Sequence, residues 1–376
     1  MALIFSRSEY IYQTRIYDAS GNMIGLYDDL VSLNYRKIVN GIGMAILTVP
    51  DTHPLIAQLV DDLLLQVNLI YLSPSNGIIY KQDFVGLYRD KQIATDNDGL
   101  SHYLLYFVGT NDVLSRNIVA YPSGVNNKSQ WTGQNIHVIA KQIVQNNCTS
   151  ALATTANGRL RNANPVRSLI ANLGSGHDPT TPTINYSCAY RNVLEVVQEL
   201  AQLGGFDFEV YFDKSSSNSL VYLQYDLMGT DKHTTIIFDL SLDNIASANV
   251  DGERLREKTV AIVGGDGTGS GRTTSIHTGA NQSASDDYEL FIDARASAST
   301  ELDSIGDAKL DELAARTSVN VDISPSSGYL YNRDYDLGDL VTASYQGIQE
   351  TKKITTVEVT FDQEQNSKIR IELSNP

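Results

Sequence analysis

Along this chain, hydrophobic positions alternate with polar ones far more often than they recur at helical spacing. The alternation is strictest near the end. Lys353–Phe361 sets Val357, Val359 and Phe361 against Glu358 and Thr360, and Lys368–Leu373 sets Ile369, Ile371 and Leu373 against Lys368, Arg370 and Glu372. Each run predicts a strand with one wet face and one buried face. Ahead of them, Asp336-Leu337-Gly338-Asp339 predicts a tight turn. Gly338 can take a positive φ without steric cost, and the flanking aspartates can bond local backbone N–H groups. The turn feeds a strand at Leu340–Thr342. Between Ser299 and about Ser318 the pattern becomes helix-like.

The first third is equally strand-rich. Tyr10–Tyr17, Ser32–Val39, Gly43–Val49, Leu64–Leu72, Lys81–Lys91 and Ser101–Val108 read as strands, with turns at Asp18–Asn22, Asn40–Gly43 and Asp96–Gly99. Thr52 is the expected N-cap of a short helix that has Pro54 near its start and runs to about Asp61. So many strands close together predict a small barrel or sandwich.

The pattern then changes. Asn111–Arg116 predicts a helical turn, and Asn135–Gln145 has apolar residues at amphipathic spacing. Cys148–Pro182 has weak periodicity and predicts a long surface excursion. Arg191–Leu203 is the clearest helix, with Leu194, Val197, Leu200 and Ala201 on one stripe that Leu203 could extend, and Gly204-Gly205 as its stop. A hairpin follows (Phe206–Phe212 and Leu220–Tyr225), then a strand at Thr235–Asp239, a polar crossover, and a β-prone run at Thr259–Val263. The fold class expected is α+β, mainly β. Residues 1–109 with 205–250 would form a first barrel-like unit, 110–204 an inserted α/β subdomain, and 251–376 a second barrel-like unit with one helix.

At 376 residues the chain exceeds one ordinary core and fits two to four domains. Its 42% hydrophobic content marks it as globular. No apolar run approaches the ~20 residues of a membrane span, and Met1–Ser8 lacks the pattern of a signal peptide, so synthesis in a cytoplasm is expected. Cys148 and Cys188, forty positions apart, could pair, but separate buried thiols are the favoured reading. Lysine and arginine number 28 against 44 acids, a formal charge of −16. That balance argues against a protein that grips nucleic acid, because phosphate neutralisation needs a basic face. It suits a soluble surface, or a conduit through which DNA slides. The 21 tyrosines against 9 phenylalanines favour half-buried faces and subunit contacts.

Candidate chemistry is sparse. Gly264–Thr274 follows a strand, but a phosphate-binding loop would need Gly where Asp266 stands and Lys where Arg272 stands. A flexible exposed loop is the expectation. The six histidines are scattered singly, with no His-x-x-x-His and no Cys-x-x-Cys, so a zinc site would need distant ligands. Gly174-Ser175-Gly176-His177 lacks the spacing of a nucleophile elbow. Asp96 with Asp98, and Asp334 with Asp336 and Asp339, could offer oxygens to calcium but follow no loop pattern, and turn formation explains them better. No catalytic, cofactor-binding or metal-ligating residue is assigned.

Taken in order, several segments resemble the tail hub proteins of siphophages, the family related to the baseplate hub of contractile tails. Asn192–Val210 resembles that family's helix-then-hairpin element, Ile237–Ala248 the segment after it, and Ala261–Gly265 a strand-to-glycine element. Tyr288–Arg295 and Tyr335–Val341 resemble its two best local signatures. The resemblance implies two tail-tube-like barrel domains per subunit and a homotrimeric ring at the tail tip, with pseudo-sixfold symmetry to meet a sixfold distal tail protein ring. It further implies that the ring holds the C-terminus of the tape measure protein and opens or closes the DNA channel. Because the chain stops at Pro376, a separate tail fibre or spike protein is expected to complete the tip. No cofactor and no enzymatic activity are implied.

Two other readings stay open on the sequence. One is a tail-associated receptor-binding or carbohydrate-binding protein that stacks tyrosines on sugars. The other is a cell-wall hydrolase whose carboxylates converge only in space.

Overall fold

The computed structural model describes residues 11–375, apart from 19, 28, 74–76, 96–98, 121–127, 150–159, 162–163, 166–169, 175–177, 215–218, 296, 298, 325–327, 346–347 and 365. In chain order the strands begin with β1 (Ile11–Tyr17), β2 (Met23–Tyr27), β3 (Ser32–Ile38), β4 (Met44–Pro50), β5 (Leu64–Ser73), β6 (Gly77–Thr95) and β7 (Ser101–Gly109). After the short α1 (Asp112–Ser115) come β8 (Ser129–Asn135), α2 (Ile136–Cys148), β9 (Leu160–Arg161), β10 (Asn164–Pro165), β11 (Ile170–Leu173) and β12 (Thr183–Cys188). Helix α3 (Val193–Gly204) precedes β13 (Asp207–Asp213), β14 (Ser219–Tyr225), β15 (Ile237–Asp239), β16 (Ile245–Glu253), β17 (Val260–Gly264), β18 (Thr274–Thr278) and β19 (Glu289–Asp293). Helix α4 (Leu302–Glu312) leads to β20 (Arg316–Ile323), β21 (Leu340–Tyr345), β22 (Ile348–Phe361) and β23 (Ser367–Ser374). The protein is mainly β with a helical minority, as the alternation predicts.

One sheet of 13 strands dominates, in the order β16-β20-β23-β22-β3-β4-β7-β6-β5-β1-β2, with β21 also on β22 and β15 on β21. Its midline is the antiparallel pair β22–β3, where Phe361 faces Leu33 and Val359 faces Tyr35. The first seven strands lie on one side of this seam and strands from residues 237–374 on the other. The sheet curls strongly. Tyr12 of β1 packs its ring 4.9 Å from that of Phe361 of β22, although β3, β4, β7, β6 and β5 lie between them in the path. The curl encloses the main core, built jointly by residues such as Leu47, Phe107, Tyr331, Val357 and Ile371, all fully buried. Among the described residues the path ends at β2 and β16 and does not return on itself, so no closed barrel is found.

A second core lies around α2 and α3. Asn192 caps α3 by accepting from Leu194 N at 2.9 Å and from Glu195 N. Gly205 ends the helix at φ 64°, which glycine reaches without a Cβ penalty. The helix buries Leu194, Val197, Leu200 and Ala201 as read from the sequence, together with Val193 and Val196. These pack with Ile139 and Val144 of α2 and with Phe208 and Tyr222 of the hairpin β13–β14. That hairpin forms a three-stranded sheet with β11. The span 205–250 thus contributes β13 and β14 to the helical core, and β15 and β16 to the C-terminal side of the main sheet.

Four local expectations need correction. The helix predicted to reach Ser318 ends at Glu312, and β20 begins at Arg316, because β-branched residues alternate beyond Ala315 and pair with β16 and β23. The N-cap of the short 3-10 helix Pro54–Gln58 is His53 rather than Thr52, its Nδ1 accepting from Leu55 N at 3.2 Å, and the helix ends before Asp61. The polar crossover after Asp239 contains β16, an edge strand whose Ala246, Ser247 and Asn249 face solvent and so needs few apolar residues. The excursion Cys148–Pro182 includes β11, paired in parallel with β14.

Candidate functional site

The polar chemistry of the fold concentrates in four places, and the largest straddles the seam of the main sheet. Asp83 of β6 has a fully buried side chain. It accepts from Lys37 Nζ at 2.7 Å, Tyr331 OH at 2.8 Å, Asn332 Nδ2 at 3.0 Å and the Tyr35 hydroxyl. Asp336 accepts from Lys37 at 3.3 Å and Lys81 at 3.1 Å. Burial alone would raise the Asp336 carboxyl, but the two lysines and the Leu337 N–H outweigh it and hold it at about 2. Burial would likewise lower Lys37, yet Asp336 and Asp83 overcome that and raise it. A carboxylate taken out of water this fully requires such partners, and here they come from β3 and from the turn at 331–336. The cluster ties the N-terminal strands β3 and β6 to the turn ahead of β21.

The turn read from the sequence stands beside this cluster. Gly338 adopts φ 88°, Asp336 accepts from Leu337 N at 2.7 Å, and Asp339 accepts from Asp336 N at 2.7 Å. Asp339, 2% exposed, also accepts from Thr230 N and from Lys232 Nζ at 2.8 Å. Asp334 is held low by Arg333 against the upward pull of burial. Each of the three aspartates considered for calcium is therefore engaged with basic side chains: Asp334 with Arg333, Asp336 with Lys37 and Lys81, and Asp339 with Lys232. Asp96 and Asp98 lie outside the described residues. No group of acidic, His or Cys side chains suited to a metal occurs among the described residues.

A cleft of about 1100 Å³ opens between α3, the end of α4 and the start of Lys353–Thr355. Carboxylates of Glu195, Glu199, Asp207, Asp226, Asp311 and Glu312 line it. Three are committed to bases: Glu199 to Arg191 at 2.6 Å, Glu312 to Lys309 at 2.5 Å, and Asp207 to Lys353 at 2.7 Å. Asp207 accepts as well from Asn40 and Met228 N, a structural role at the cleft floor. These three pairs brace the walls, while Glu195, Asp226 and Asp311 line the cleft outside them.

The fourth place escaped the sequence reading. Ser275 Oγ lies 2.8 Å from His277 Nε2, and His277 Nδ1 lies 2.8 Å from Asp307. The order Ser–His–Asp imitates a hydrolytic triad. A second carboxylate changes its meaning: Ser275 donates its hydroxyl proton to Asp303 at 2.6 Å, so the imidazole does not receive it. The signal lay in i, i+2 spacing on a strand and i, i+4 spacing on a helix, which only the fold brings together. The glycine-rich loop is exposed, as expected, but it is pinned rather than free. Arg272 donates to Gly264 O at 2.8 Å and Gly265 O at 3.0 Å, pairs with Asp293 at 2.6 Å and stacks on Phe291. It leads into β18, so no helix N-terminus faces it. Of Gly174–His177, residues 175–177 lie outside the described residues.

A family model described as "Siphovirus ReqiPepy6 Gp37-like protein" matches residues 13–373. The chain belongs to this siphovirus family. The resemblance read from the sequence thus holds at the level of the family, and no curated protein matches the sequence. The fold of the Gp37-like chain is shared with solved phage tail proteins. The 43 kDa tail protein of prophage MuSo2 from Shewanella oneidensis aligns at TM-score 0.58 and 12% identity, over 98% of both chains. The tail protein from Neisseria meningitidis MC58 aligns at 0.56 and 9%, over 97% of both. The prophage tail protein gp18 from Listeria monocytogenes aligns at 0.53 and 13%, over 97% of this chain and 94% of that one.

In this Gp37-like protein both cysteines are buried thiols and no disulfide joins them. Burial pushes the Cys188 thiol up to about 12, only partly opposed by Arg191. No helix among the described residues is long and apolar enough to cross a membrane.

Proposed function

We propose that this chain is a structural hub of a siphophage tail tip, part of the virion. Three copies form a ring that joins the distal tail ring to a fibre or spike protein, holds the C-terminus of the tape measure protein, and lines or closes the DNA channel. The observation that carries this reading is the fold. It matches phage tail proteins over nearly the whole chain, and its dominant curled sheet has N-terminal strands tied by buried charge pairs to the turn at 331–336. Such a frame transmits load between neighbours. In this reading the curled halves on either side of β22–β3 act as two barrel-like units, with 110–204 as an insertion, and the two halves give the threefold ring its pseudo-sixfold face. The formal charge of −16 suits a passage for DNA without specific binding. No cofactor enters the proposal, and synthesis takes place in the host cytoplasm.

Native mass spectrometry of the full chain, alone and with the distal tail ring, tests this. A trimer, or three copies bound per distal ring, is the expected result. A strict monomer in both conditions overturns it. Binding of the isolated chain to host glycans would move the assignment to the receptor-binding reading. Clearing of host cell wall that is lost on substituting single acids of the cleft would move it to a hydrolase.

A further inference from the structure

Around His277 the hydrogen bonds can be counted proton by proton. Register places Ser275 beside Val263 and His277 beside Ala261, so the four residues share the face of the β17–β18 pair that α4 covers. Helix α4 brings Asp303 and Asp307, one turn apart, to either side of the imidazole. Gly306 lies between them, and its missing side chain makes room for the ring: a Cβ there would sit 2.6 Å from His277 Cδ2. Ala261 and Val263 on β17 and Gly306 on α4, which share this face with the ring, carry no charge. Asp303 and Asp307 are therefore the titratable groups facing the ring.

Four contacts link these groups. Asp307 lies 2.8 Å from Nδ1, Ser275 Oγ lies 2.8 Å from Nε2, Asp303 lies 3.3 Å from Nε2, and Ser275 Oγ lies 2.6 Å from Asp303. The Ser275 hydroxyl, and after it the imidazole, keep the Asp303 carboxyl below its usual range against the effect of burial, so Asp303 accepts and does not donate. Ser275 has one proton to give, and Asp303 takes it. Nε2 must then donate to the serine oxygen, and Nδ1 must donate to Asp307. All contacts are satisfied only when both ring nitrogens carry protons. A neutral ring sets a lone pair against an acceptor at one nitrogen.

We propose that His277 is a proton-dependent latch: doubly protonated, it clamps α4 onto the β17–β18 strands, and on losing a proton it lets the helix loosen. Lys309, Asp311 and Glu312 of the same helix line the large cleft, so release of the latch moves one wall of that cleft. The inference is independent of the assembly proposed above.

The test uses the full chain. Hydrogen exchange of the α4 amides, corrected for intrinsic rates, is compared at about pH 5.5 and about pH 8.5, which bracket the range in which imidazole changes charge. Protection of α4 is expected to fall about tenfold at the higher pH while the α2–α3 core keeps its own. In His277→Asn that step should vanish. In Asp303→Asn an amide can donate to a neutral ring, so the fold persists and the step should shrink. Nitrogen-15 shifts of the ring should report two N–H groups at the lower pH. Equal protection of α4 at both pH values overturns the proposal. So does an unchanged step in either variant, a loss spread equally over all segments, or a ring that is a neutral tautomer at the lower pH.

Discussion

Lys37 and Asp83 meet with Nζ 2.7 Å from Oδ1 although β4 and β7 separate their strands in the sheet. The contact exists because the N-terminal strands curl back on themselves, and Tyr331 and Asn332 from the last third of the chain complete it. One ion pair therefore reports on the closure of the whole core. Removing Asp83 alone leaves the buried Lys37 with only the longer carboxylate contact, to Asp336, and takes an acceptor from three donors. Asp83→Ala should cost about 3–5 kcal/mol, whereas the double variant Lys37→Met with Asp83→Leu should cost clearly less. Urea unfolding of the two variants and the parent checks the order.

Asp336 sets the acid limit. Its carboxyl is depressed from 3.8 to about 2. A depressed carboxylate contributes stability that is present above the unfolded value and lost as pH falls through the folded one. Stability should therefore hold flat above about pH 5 and decline between about pH 4 and 2, with Asp336 supplying about 2 kcal/mol of that decline. Asp336→Asn should flatten this part of the curve, as read by denaturation midpoints across the pH range.

Gly229 meets the signature turn backbone to backbone. An added Cβ would lie 2.2 Å from Asp339 N, where no flexible side chain can yield. Gly229→Ala should therefore destabilise by about 1–3 kcal/mol and raise hydrogen exchange at 336–340 more than in α3. Thermal melts and exchange on the same variant check both parts.

Asn192 caps α3 and also donates to Ser115 O at 2.7 Å. Asn192→Ala should cost about 1 kcal/mol or somewhat more, and Asn192→Ser, which keeps the cap, should recover part of it. Chemical denaturation of both variants measures the difference.

Cys188 is buried and its thiol is raised to about 12. Iodoacetamide at about pH 8 should leave the native chain unmodified and alkylate it after unfolding, since the thiolate is the reactive form. Intact-mass measurement before and after denaturant gives the result.

The fold was legible where local patterning and burial agree. β22 and β23 alternate because one face is buried, Gly338 and its aspartates form the turn their chemistry calls for, and α3 carries cap, stripe and stop in its own sequence. Reading failed where an element is polar on both sides or draws its stability from a distant partner. β16 and β20 are such a pair, and their hydrogen bonds span residues 245–253 and 316–323. The Ser275–His277–Asp303–Asp307 cluster was hidden for the same reason, its paired strand and helix residues lying 26 to 30 positions apart in the chain.

By itself the sequence determined the class of fold, the individual strands and helices that bury one face, the signature turn, and the family, because each depends on residues within a short window. Tertiary structure alone decided that β3 pairs with β22, that Asp83 is buried among partners from both ends of the chain, and that a histidine is gripped between two carboxylates. Those outcomes follow from sheet curl and register, which add small twists over many strands and leave no mark on any single segment.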